Sequence, residues 1–425
     1  MMVADCPSTT SAVPELASDR SPLSAPIQSD PSDRRVLVAL CSGTFLASLL
    51  TIAPPPFFPA MARDLQVAVP LLGQVMTAML LLSALLGLLF GPLSDRSGHR
   101  RLILVGLVAA VVTLLTLGLA PSFLVLMLAS VTGAVTTAAV PGPSLALAGT
   151  HFVGVSGRRA VSWASGSAAL AAIVGVPVLT AIGVVAGWRV AYVALAGAAV
   201  VAVVIAFLGL PHHRRSRDEP PCVDAILASY GPLLRHSTMR RLYAARALSG
   251  ACWMGLLTYL GVFLADALAM DVGHIGLVYM AGGTAFFIGS LTAGELLARV
   301  PARMLVIAGY STMALLMGVA FSARLGAMGT VVLVTAAALA MGLGLVSMAT
   351  LFLAESPSGA GTTMTLSGTV FNLGAASGGA IGGVLIALSG YDAIAIGLPF
   401  FGLAAALLCG RLPSPLRVSW AMGKK

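Results

Sequence analysis

Hydrophobic residues run along this chain in long blocks that short polar turns separate. Each block has about 20 residues, which is the length an α-helix needs to cross the hydrocarbon core of a bilayer. Apolar and polar residues do not alternate within the blocks, so the pattern excludes the strands of a transmembrane β-barrel. The sequence therefore predicts an all-α integral membrane protein with twelve transmembrane helices. The blocks lie near residues 36–58, 70–91, 102–119, 122–143, 160–183, 190–210, 242–265, 274–296, 303–322, 327–350, 364–387 and 391–411.

The composition supports the membrane class and excludes others. Apolar residues make up 58% of the chain and charged residues only 9%, and the mean hydropathy is +0.98. A soluble protein carries about 25% charged residues. These values exclude soluble enzymes, extracellular modules and nucleic-acid-binding proteins, in spite of a net charge of +9. The partner that the composition predicts is the lipid bilayer rather than a nucleic acid.

One long connection divides the chain into two sets of six blocks. It contains the polar stretch PHHRRSRDEPP and covers residues 211–241. The predicted organisation is an N-terminal six-helix bundle over 34–210, a cytoplasmic linker over 211–241 and a C-terminal six-helix bundle over 242–412. Residues 1–33 are rich in Ser, Pro and Asp and lack an apolar signal-peptide core, so they are predicted to form a disordered cytoplasmic tail. Residues 413–425 are expected to form a second cytoplasmic tail.

The basic residues predict the orientation in the membrane. With twelve crossings both termini share one side, and that side would hold nineteen Arg and Lys residues against three on the other. Positive residues collect in the cytoplasmic loops of membrane proteins. Both termini are therefore predicted to be cytoplasmic, in a multi-pass protein of the cell inner membrane.

The two sets of blocks resemble each other at a fixed offset of 203 residues. Chance alone would align a few glycines in a chain with 47 of them, but arginines match as well. The pattern predicts two parallel six-helix repeats, an architecture that places a pocket at the membrane midplane and opens it to either side in turn. The matched pairs are Gly73 with Gly276, Gly91 with Gly294, Arg96 with Arg299, Arg100 with Arg303, Gly106 with Gly309 and Gly187 with Gly390.

A motif between the second and third blocks resembles a known family. The stretch GPLSDRSGHRRL follows closely the signature G-x-L-x-D-R-x-G-R-R of the major facilitator superfamily, with His99 as a departure. The stretches APPPFFPAMARDL in the first block and GVPVLTAIGVVAGWRVAY in the fifth are similar to bacterial drug and sugar efflux members. The matching residues are Gly91, Asp95, Arg96, Gly98, Arg100 and Arg101 in the signature, and Gly175 and Pro177 in the fifth block.

This resemblance implies the major facilitator fold and a function. The expected protein is a monomeric secondary transporter that exports a small organic molecule, such as a drug, sugar or metabolite, by alternating access with proton antiport. No cofactor is expected beyond the proton gradient. The resemblance also implies that the signature cluster closes the cytoplasmic gate. A facilitator or importer on the same fold, or a non-transporting membrane sensor, stays as the alternative.

Several polar and aromatic residues inside the blocks are candidates for the substrate cavity, with ordinary helix packing as the alternative for each. Arg246 lies about one turn inside the seventh block, where an intramembrane charge indicates function unless it snorkels to the interface. Asp64 and Asp266 end the first and seventh blocks and are candidates for proton coupling, with solvated helix ends as the alternative. Ser130 stands where related exporters often carry an arginine, which weakens the usual proton relay. The cavity candidates are Gln74, Trp163, Arg246, Trp253, Tyr259 and Asn372.

Nothing in the sequence points to an enzyme or to a metal site. The five cysteines lie far apart, without a CxxC pair or a Cys/His cluster, and the six histidines are scattered. No P-loop is present, which disfavours an ATP-driven pump. Catalytic residues and metal ligands are therefore not expected.

Overall fold

The computed structural model describes residues 31–152, 155–211, 230–322, 325–357 and 360–412. Regular structure in these ranges is helical throughout, and we number the membrane-crossing helices as spans in chain order. The spans are span 1 (Pro31–Ile52 and, after a bend, Phe58–Leu65), span 2 (Val69–Ser97), span 3 (His99–Gly118), span 4 (Phe123–Ala139 and Pro141–His151), spans 5 and 6 (Val155–Leu170 and Val176–Gly209, divided at Gly187), span 7 (Ser237–Leu268), span 8 (Val272–Leu296), span 9 (Ala302–Ser322), span 10 (Gly326–Glu355), and spans 11 and 12 (Ala360–Gly410, divided at Gly390).

Two of the ten apolar helical stretches are each divided by a glycine, which gives twelve spans. Ten described stretches are long and apolar enough to cross a membrane, and two of them contain 51 and 49 residues. A single crossing needs about 20 residues, so each of these two covers two crossings. Gly187 (φ 84°, ψ 162°) and Gly390 (φ 71°, ψ −159°) interrupt them with a backbone conformation that side chains disfavour. The count agrees with the twelve predicted helices.

The helices extend further than hydropathy predicted. Span 7 begins at Ser237 and residues 230–235 are also helical, so the part of the predicted linker that is described is mostly helical. Span 1 begins at Pro31, inside the predicted tail. Hydropathy detects only the apolar part of a helix, whereas spans 1 and 7 carry arginines in their first turns at the membrane surface. The rest of the two predicted tails and of the linker, residues 1–30, 212–229 and 413–425, lies outside the described residues.

Prolines bend span 1 near its far end. Pro54, Pro55 and Pro56 are buried, and a short 3₁₀ turn, Pro55–Phe57, replaces the α-helix there. Proline lacks a backbone N–H and clashes with the preceding turn, so consecutive prolines cannot continue an α-helix. A new helix, Phe58–Leu65, carries the chain to the end of the span.

The two ends of the bundle differ in charge. We call the end at which spans 1, 3, 5, 7, 9 and 11 begin the basic end, and the other the far end. The far end carries Arg63 and Arg189 among the described residues. The described arginines of the basic end are Arg34, Arg35, Arg100, Arg101, Arg159, Arg235, Arg240, Arg241, Arg299, Arg303 and Arg411.

Backbone geometry repeats at the predicted offset of 203 residues. Gly187 and Gly390, which divide spans 5 and 6 and spans 11 and 12, are such a pair. A second pair is Gln66 (φ 53°) and Ala269 (φ 52°), which are the non-glycine residues with positive φ among those described. Each ends the helix of span 1 or span 7 in the left-handed conformation. The six-helix repeat predicted from glycines and arginines is therefore present in the backbone.

An arginine contact repeats at the same offset. Arg100 at the start of span 3 donates from Nη2 to the carbonyl of Phe207, at 2.7 Å, near the end of span 6. Arg303 at the start of span 9 donates to the carbonyl of Gly410 at the end of span 12. The last carbonyls of a helix lack intrahelical partners and form the negative end of its dipole. These arginines thus cap helices within their own halves, in addition to any role in orientation.

Candidate functional site

A cleft opens between spans 5 and 8 in the half of the molecule nearest the basic end. Its volume is about 410 Å³. Trp163 lies in it with a side chain that is 60% exposed, which places this predicted cavity residue at an open surface. The lining is mostly apolar, with Arg159 as its charged residue. The cleft is lined by Arg159, Ser162, Trp163, Gly166, Leu170 and Ile173 of span 5 and by Phe287 and Leu291 of span 8.

The same two spans are in close contact from their middle to the far end. A Cβ atom on Gly276 would lie 3.0 Å from the Cβ atom of Thr180, and one on Gly283 would lie 2.6 Å from that of Ala172. Both glycines therefore permit an approach that a larger residue would prevent. The cleft is open at the basic end and closed at the far end.

Spans 1 and 7 close the far end as well. A Cβ atom on Gly261 would lie 2.9 Å from the carbonyl carbon of Pro55, in the 3₁₀ turn of span 1. The bend that the prolines impose on span 1 thus brings its backbone against span 7. The two halves of the chain meet tightly here.

Gln74 and Tyr259, two predicted cavity residues, come together where spans 2, 7 and 11 meet. The Tyr259 hydroxyl donates to the carbonyl of Gly379 at 2.8 Å. Gln74 Nε2 and the Tyr259 hydroxyl each lie 2.7 Å from the position that a Cβ on Gly383 would take. Tyr259 is fully buried, and its hydroxyl joins span 7 to span 11 in this conformation.

Arg246 and Asn372 lie at the same junction but nearer the basic end. The Arg246 Cζ is 4.1 Å from the centroid of the Phe371 ring, which belongs to span 11. Asn372 follows Phe371, and its Nδ2 is 3.5 Å from Ser83 Oγ of span 2. Trp253 is separate from this group, since it is buried and stacks on Phe286 of span 8 at 6.5 Å between ring centroids.

The predicted gate motif lies at the turn between spans 2 and 3. Span 2 ends at Ser97, Gly98 adopts φ 86°, and span 3 begins at His99. Arg100 also lies over the ring of Phe207, with Cζ 5.3 Å from the centroid, and Arg101 is exposed. The side chains of Asp95 and Arg96, and the surroundings of Gly91, lie outside the described parts. The described contacts of Arg100 therefore remain within the N-terminal half.

The exporter-type element of span 5 is a local π-helix. Residues Ala171–Gly175 widen the helix by one residue, and Pro177 follows at the start of the next helix. Such a bulge accommodates a proline that cannot donate to the helical ladder. A Cβ on Gly175 would lie 2.8 Å from Leu49 Cδ1, so this glycine permits span 5 to approach span 1. Gly378, 203 residues later, likewise abuts the backbone of Ala251 in span 7.

Asp64 and Asp266, the predicted coupling residues, both lie at the far end but have different partners. Asp64 Oδ2 accepts from Trp188 Nε1 at 2.8 Å and forms an ion pair with Arg189 Nη1 at 2.7 Å. Asp266 Oδ2 accepts from the Tyr391 hydroxyl at 3.0 Å.

These partners were missed by the sequence reasoning, although a signal for them was present. Trp188 and Tyr391 stand 203 residues apart, in the stretches GWR and GYD that the repeat alignment had already paired. Each of these residues follows the glycine that divides two spans. Each donates a hydrogen bond to the aspartate at the end of the first span of its own half. Phe371 and Ser83 carried no comparable signal.

Comparison with known proteins gives concordant results. The sequence profile of the Major Facilitator Superfamily matches residues 40–379. A chloramphenicol efflux pump of Mycobacterium tuberculosis is 29% identical over 366 residues, which covers 82% of this chain and 85% of the pump. The inner membrane transport protein YdhP of Escherichia coli is 27% identical over 380 residues, covering 88% and 94%. The crystal structure of a bacterial homolog of the human lysosomal transporter Spinster, inward-facing and unoccupied, has a TM-score of 0.65 at 16% identity and covers 90% of this chain and 95% of that one.

Proposed function

The chain belongs to the major facilitator superfamily, as a multi-pass membrane transporter, and we propose that it exports a small organic molecule by alternating access with proton antiport. The observation that carries the proposal is the unequal packing of spans 5 and 8. Thr180 and Gly276 are in contact at the far end, whereas Trp163 and Leu291 line an open cleft toward the basic end. One pair of helices thus shows both the closed and the open arrangement that an alternating transporter exchanges.

The proposed cycle follows from rocking one half against the other. Contacts such as Arg100 with Phe207 and Asp64 with Arg189 lie within one half and can persist. The contact between Thr180 and Gly276 joins the two halves and must break for a substrate to leave at the far end. Span 8 contributes glycines, Gly276 and Gly283, to this contact, so its side chains do not interlock with those of span 5. The absence of interlocking lowers the free energy needed to separate the two spans.

Export of an organic molecule is supported by the relatives and by the chemistry of the cleft. One similar protein is a chloramphenicol efflux pump, and the Gly175–Pro177 element resembles that of exporters. The cleft presents an indole, a phenyl ring and aliphatic side chains with one guanidinium at its edge. Such a lining suits a neutral or weakly anionic amphiphile better than a polycation.

The direction of transport is tested with membrane vesicles and a compound panel that includes chloramphenicol. Inverted vesicles that contain the protein should accumulate at least one compound above vesicles that lack it, and collapse of the pH gradient should stop the accumulation. Accumulation only in right-side-out vesicles would instead establish an importer. Equilibration without dependence on the gradient would establish a facilitator, and absence of movement throughout the panel would favour a sensor.

We place the basic end in the cytoplasm, and this orientation has its own test. In a cysteine-free background, Ser216→Cys in the linker should react with an impermeant maleimide only after the membrane is opened, because the linker joins two helices at the basic end. A cysteine placed next to Arg189 at the far end serves as the positive control in intact cells. Labelling of residue 216 in intact cells would overturn the orientation.

The signature motif is proposed to close the basic end in the alternate state. Asp95→Asn should lower transport at least tenfold, because the carboxylate can no longer attract its neighbouring arginines, while the amount of protein in the membrane stays normal. Asp33→Asn is the matched control, since Asp33 also lies at the basic end but contacts His151 within the N-terminal half at 3.2 Å. Equal transport by Asp95→Asn and the wild type would show that the motif only sets orientation.

A further inference from the structure

Arg246 lies further from the start of its helix than the apolar block of the sequence indicated. Span 7 begins at Ser237, nine residues before Arg246. At 1.5 Å per residue this places it about 14 Å along the helix. Arg240 and Arg241 in the first turn are exposed and occupy the surface of the basic end, where Arg241 donates to the carbonyl of Arg411. Arg246 is therefore more than one helical turn further along span 7 than Arg240 and Arg241.

The guanidinium of Arg246 is only partly satisfied. One face lies against the ring of Phe371, at 4.1 Å from Cζ to the centroid. Its Nη1 is buried, and among the described residues this atom has no hydrogen-bond partner and Arg246 forms no ion pair. A guanidinium carries five N–H donors and cannot lose its proton in a protein. A buried donor atom without a partner carries a free-energy cost, and an acceptor supplied by another molecule would remove it.

Among the described residues, the junction around Arg246 contains an amide and no carboxylate. Asn372 presents an amide beside Phe371, and its Nδ2 has only a long, 3.5 Å contact to Ser83. The described carboxylates lie at span ends, as Asp33, Asp64, Asp266, Asp271, Glu295, Glu355 and Asp392. An anion entering this junction would therefore meet a cation and an amide donor.

Span 7 is the most buried of the ten apolar helical stretches. In this span 78% of the most apolar window is buried, against 33–56% in the other stretches, so the helix has little contact with lipid. Its partly exposed residues include Arg246, Met254 and Leu257, which share one helical face. Met254 packs against Leu80, Ala375 and Ala376, so apolar side chains of spans 2, 7 and 11 lie beyond Arg246 toward the middle of the helix.

We propose that Arg246, held by Phe371 and assisted by Asn372, binds the anionic group of the transported molecule. The substrate class is an organic monoanion, a carboxylate on an apolar body. Arginine binds a carboxylate through two parallel N–H···O bonds, and stacking on the phenyl ring fixes the plane of the fork. This inference rests on the proposed transport function and specifies its substrate.

The test uses binding to purified protein, so its outcome is independent of transport. The probes are 2-naphthoate, 2-naphthamide and 2-naphthylmethylammonium, which share a ring system and differ in charge. The wild type should bind the carboxylate at least tenfold more tightly than the other two, as measured by ligand-induced thermal shift and by titration. Arg246→Gln should abolish this preference, and Arg246→Lys should restore part of it. Arg240→Gln, an exposed arginine of the same helix, is the control and should leave the preference unchanged.

A second readout separates binding from structural support. Because the arginine is unpaired in the ligand-free protein, Arg246→Gln should melt at the same temperature as the wild type or higher in the absence of probe. A lower melting temperature would show that Arg246 stabilises the fold and would overturn the proposal. Equal binding of the three probes by the wild type, or a retained preference in Arg246→Gln, would overturn it too. Export in vesicles would then still stand, with another site for the substrate.

Discussion

Oxidation of a Thr180→Cys/Gly276→Cys double variant should abolish transport, and reduction should restore it. The two Cβ atoms would lie about 3.0 Å apart in this conformation, close enough for a disulfide to form with a small adjustment of the helices. The bond would join span 5 to span 8 at the far end, across the two halves of the chain. If transport requires spans 5 and 8 to separate at the far end, the disulfide would hold the protein in the conformation whose cleft is open at the basic end. Transport is measured in the cysteine-free background before oxidation, after oxidation and after treatment with a reductant.

A crosslink within one half provides the control. The hydroxyls of Thr113 and Thr132 are 2.8 Å apart and join spans 3 and 4, so Thr113→Cys/Thr132→Cys should also form a disulfide. Because both spans belong to the N-terminal half, rocking does not separate them, and transport should continue after oxidation. Full transport by the oxidised Thr180→Cys/Gly276→Cys protein would refute rocking of spans 5 and 8. Loss of transport in the control as well would point to a general effect of oxidation.

Much of the architecture is predictable because it depends on local physics. Apolar blocks of about 20 residues can bury their backbone polar groups in lipid only as helices. Gly187 and Gly390 could be paired from the sequence alone, and both divide long helices at equivalent places. Pro54 to Pro56 bend span 1 because proline cannot donate a backbone hydrogen bond. Each of these features can be predicted without knowledge of contacts between distant residues.

The candidate site was less predictable because its residues depend on distant partners. Phe371 is separated from Arg246 by 125 residues, and no local pattern connects them. Tyr259 and Trp163 looked equivalent as aromatic residues within spans, yet one is fully buried and the other is 60% exposed. The difference arises because spans 2, 7 and 11 pack closely around Tyr259, whereas spans 5 and 8 part at Trp163. Which end of the molecule is open depends on how the two halves pack together, and the local sequence pattern does not specify that packing.

Asp64 and Asp266 occupy equivalent positions in the sequence repeat, but the structure gives them different partners. Asp64 is tied to Arg189, but the position 203 residues after Arg189 is Asp392. Asp266 therefore has the hydroxyl of Tyr391 as its partner and no cation at the equivalent place. Of the two acids, Asp266 is the one that can be neutralised without loss of a described ion pair, and we therefore propose it as the residue that carries the coupled proton.

Asp266→Asn should abolish accumulation driven by a pH gradient while substrate exchange continues. An asparagine still accepts the hydrogen bond from Tyr391, so the turn between spans 11 and 12 should stay intact, but it cannot carry a proton. A gradient of about two pH units provides roughly 2.7 kcal/mol per proton, enough for about 100-fold accumulation by one-to-one antiport. Moving one charge across 100 mV provides about 2.3 kcal/mol, so the membrane potential must be clamped in proteoliposomes during the measurement. Under these conditions the accumulation ratio of Asp266→Asn should fall to about one.

Asp64→Asn is the matched variant, and it should fail in a different way. It loses the ion pair with Arg189 but can still accept from Trp188, so we expect pH-driven accumulation per folded protein to remain. Both partners of the pair are more than one third exposed, so the loss of stability should stay below about 1 kcal/mol. Asp266→Glu should recover accumulation, because it restores a titratable carboxyl group near Tyr391. Unchanged accumulation in Asp266→Asn would remove this residue from the proton path, and loss in Asp64→Asn alone would assign the path to the N-terminal half.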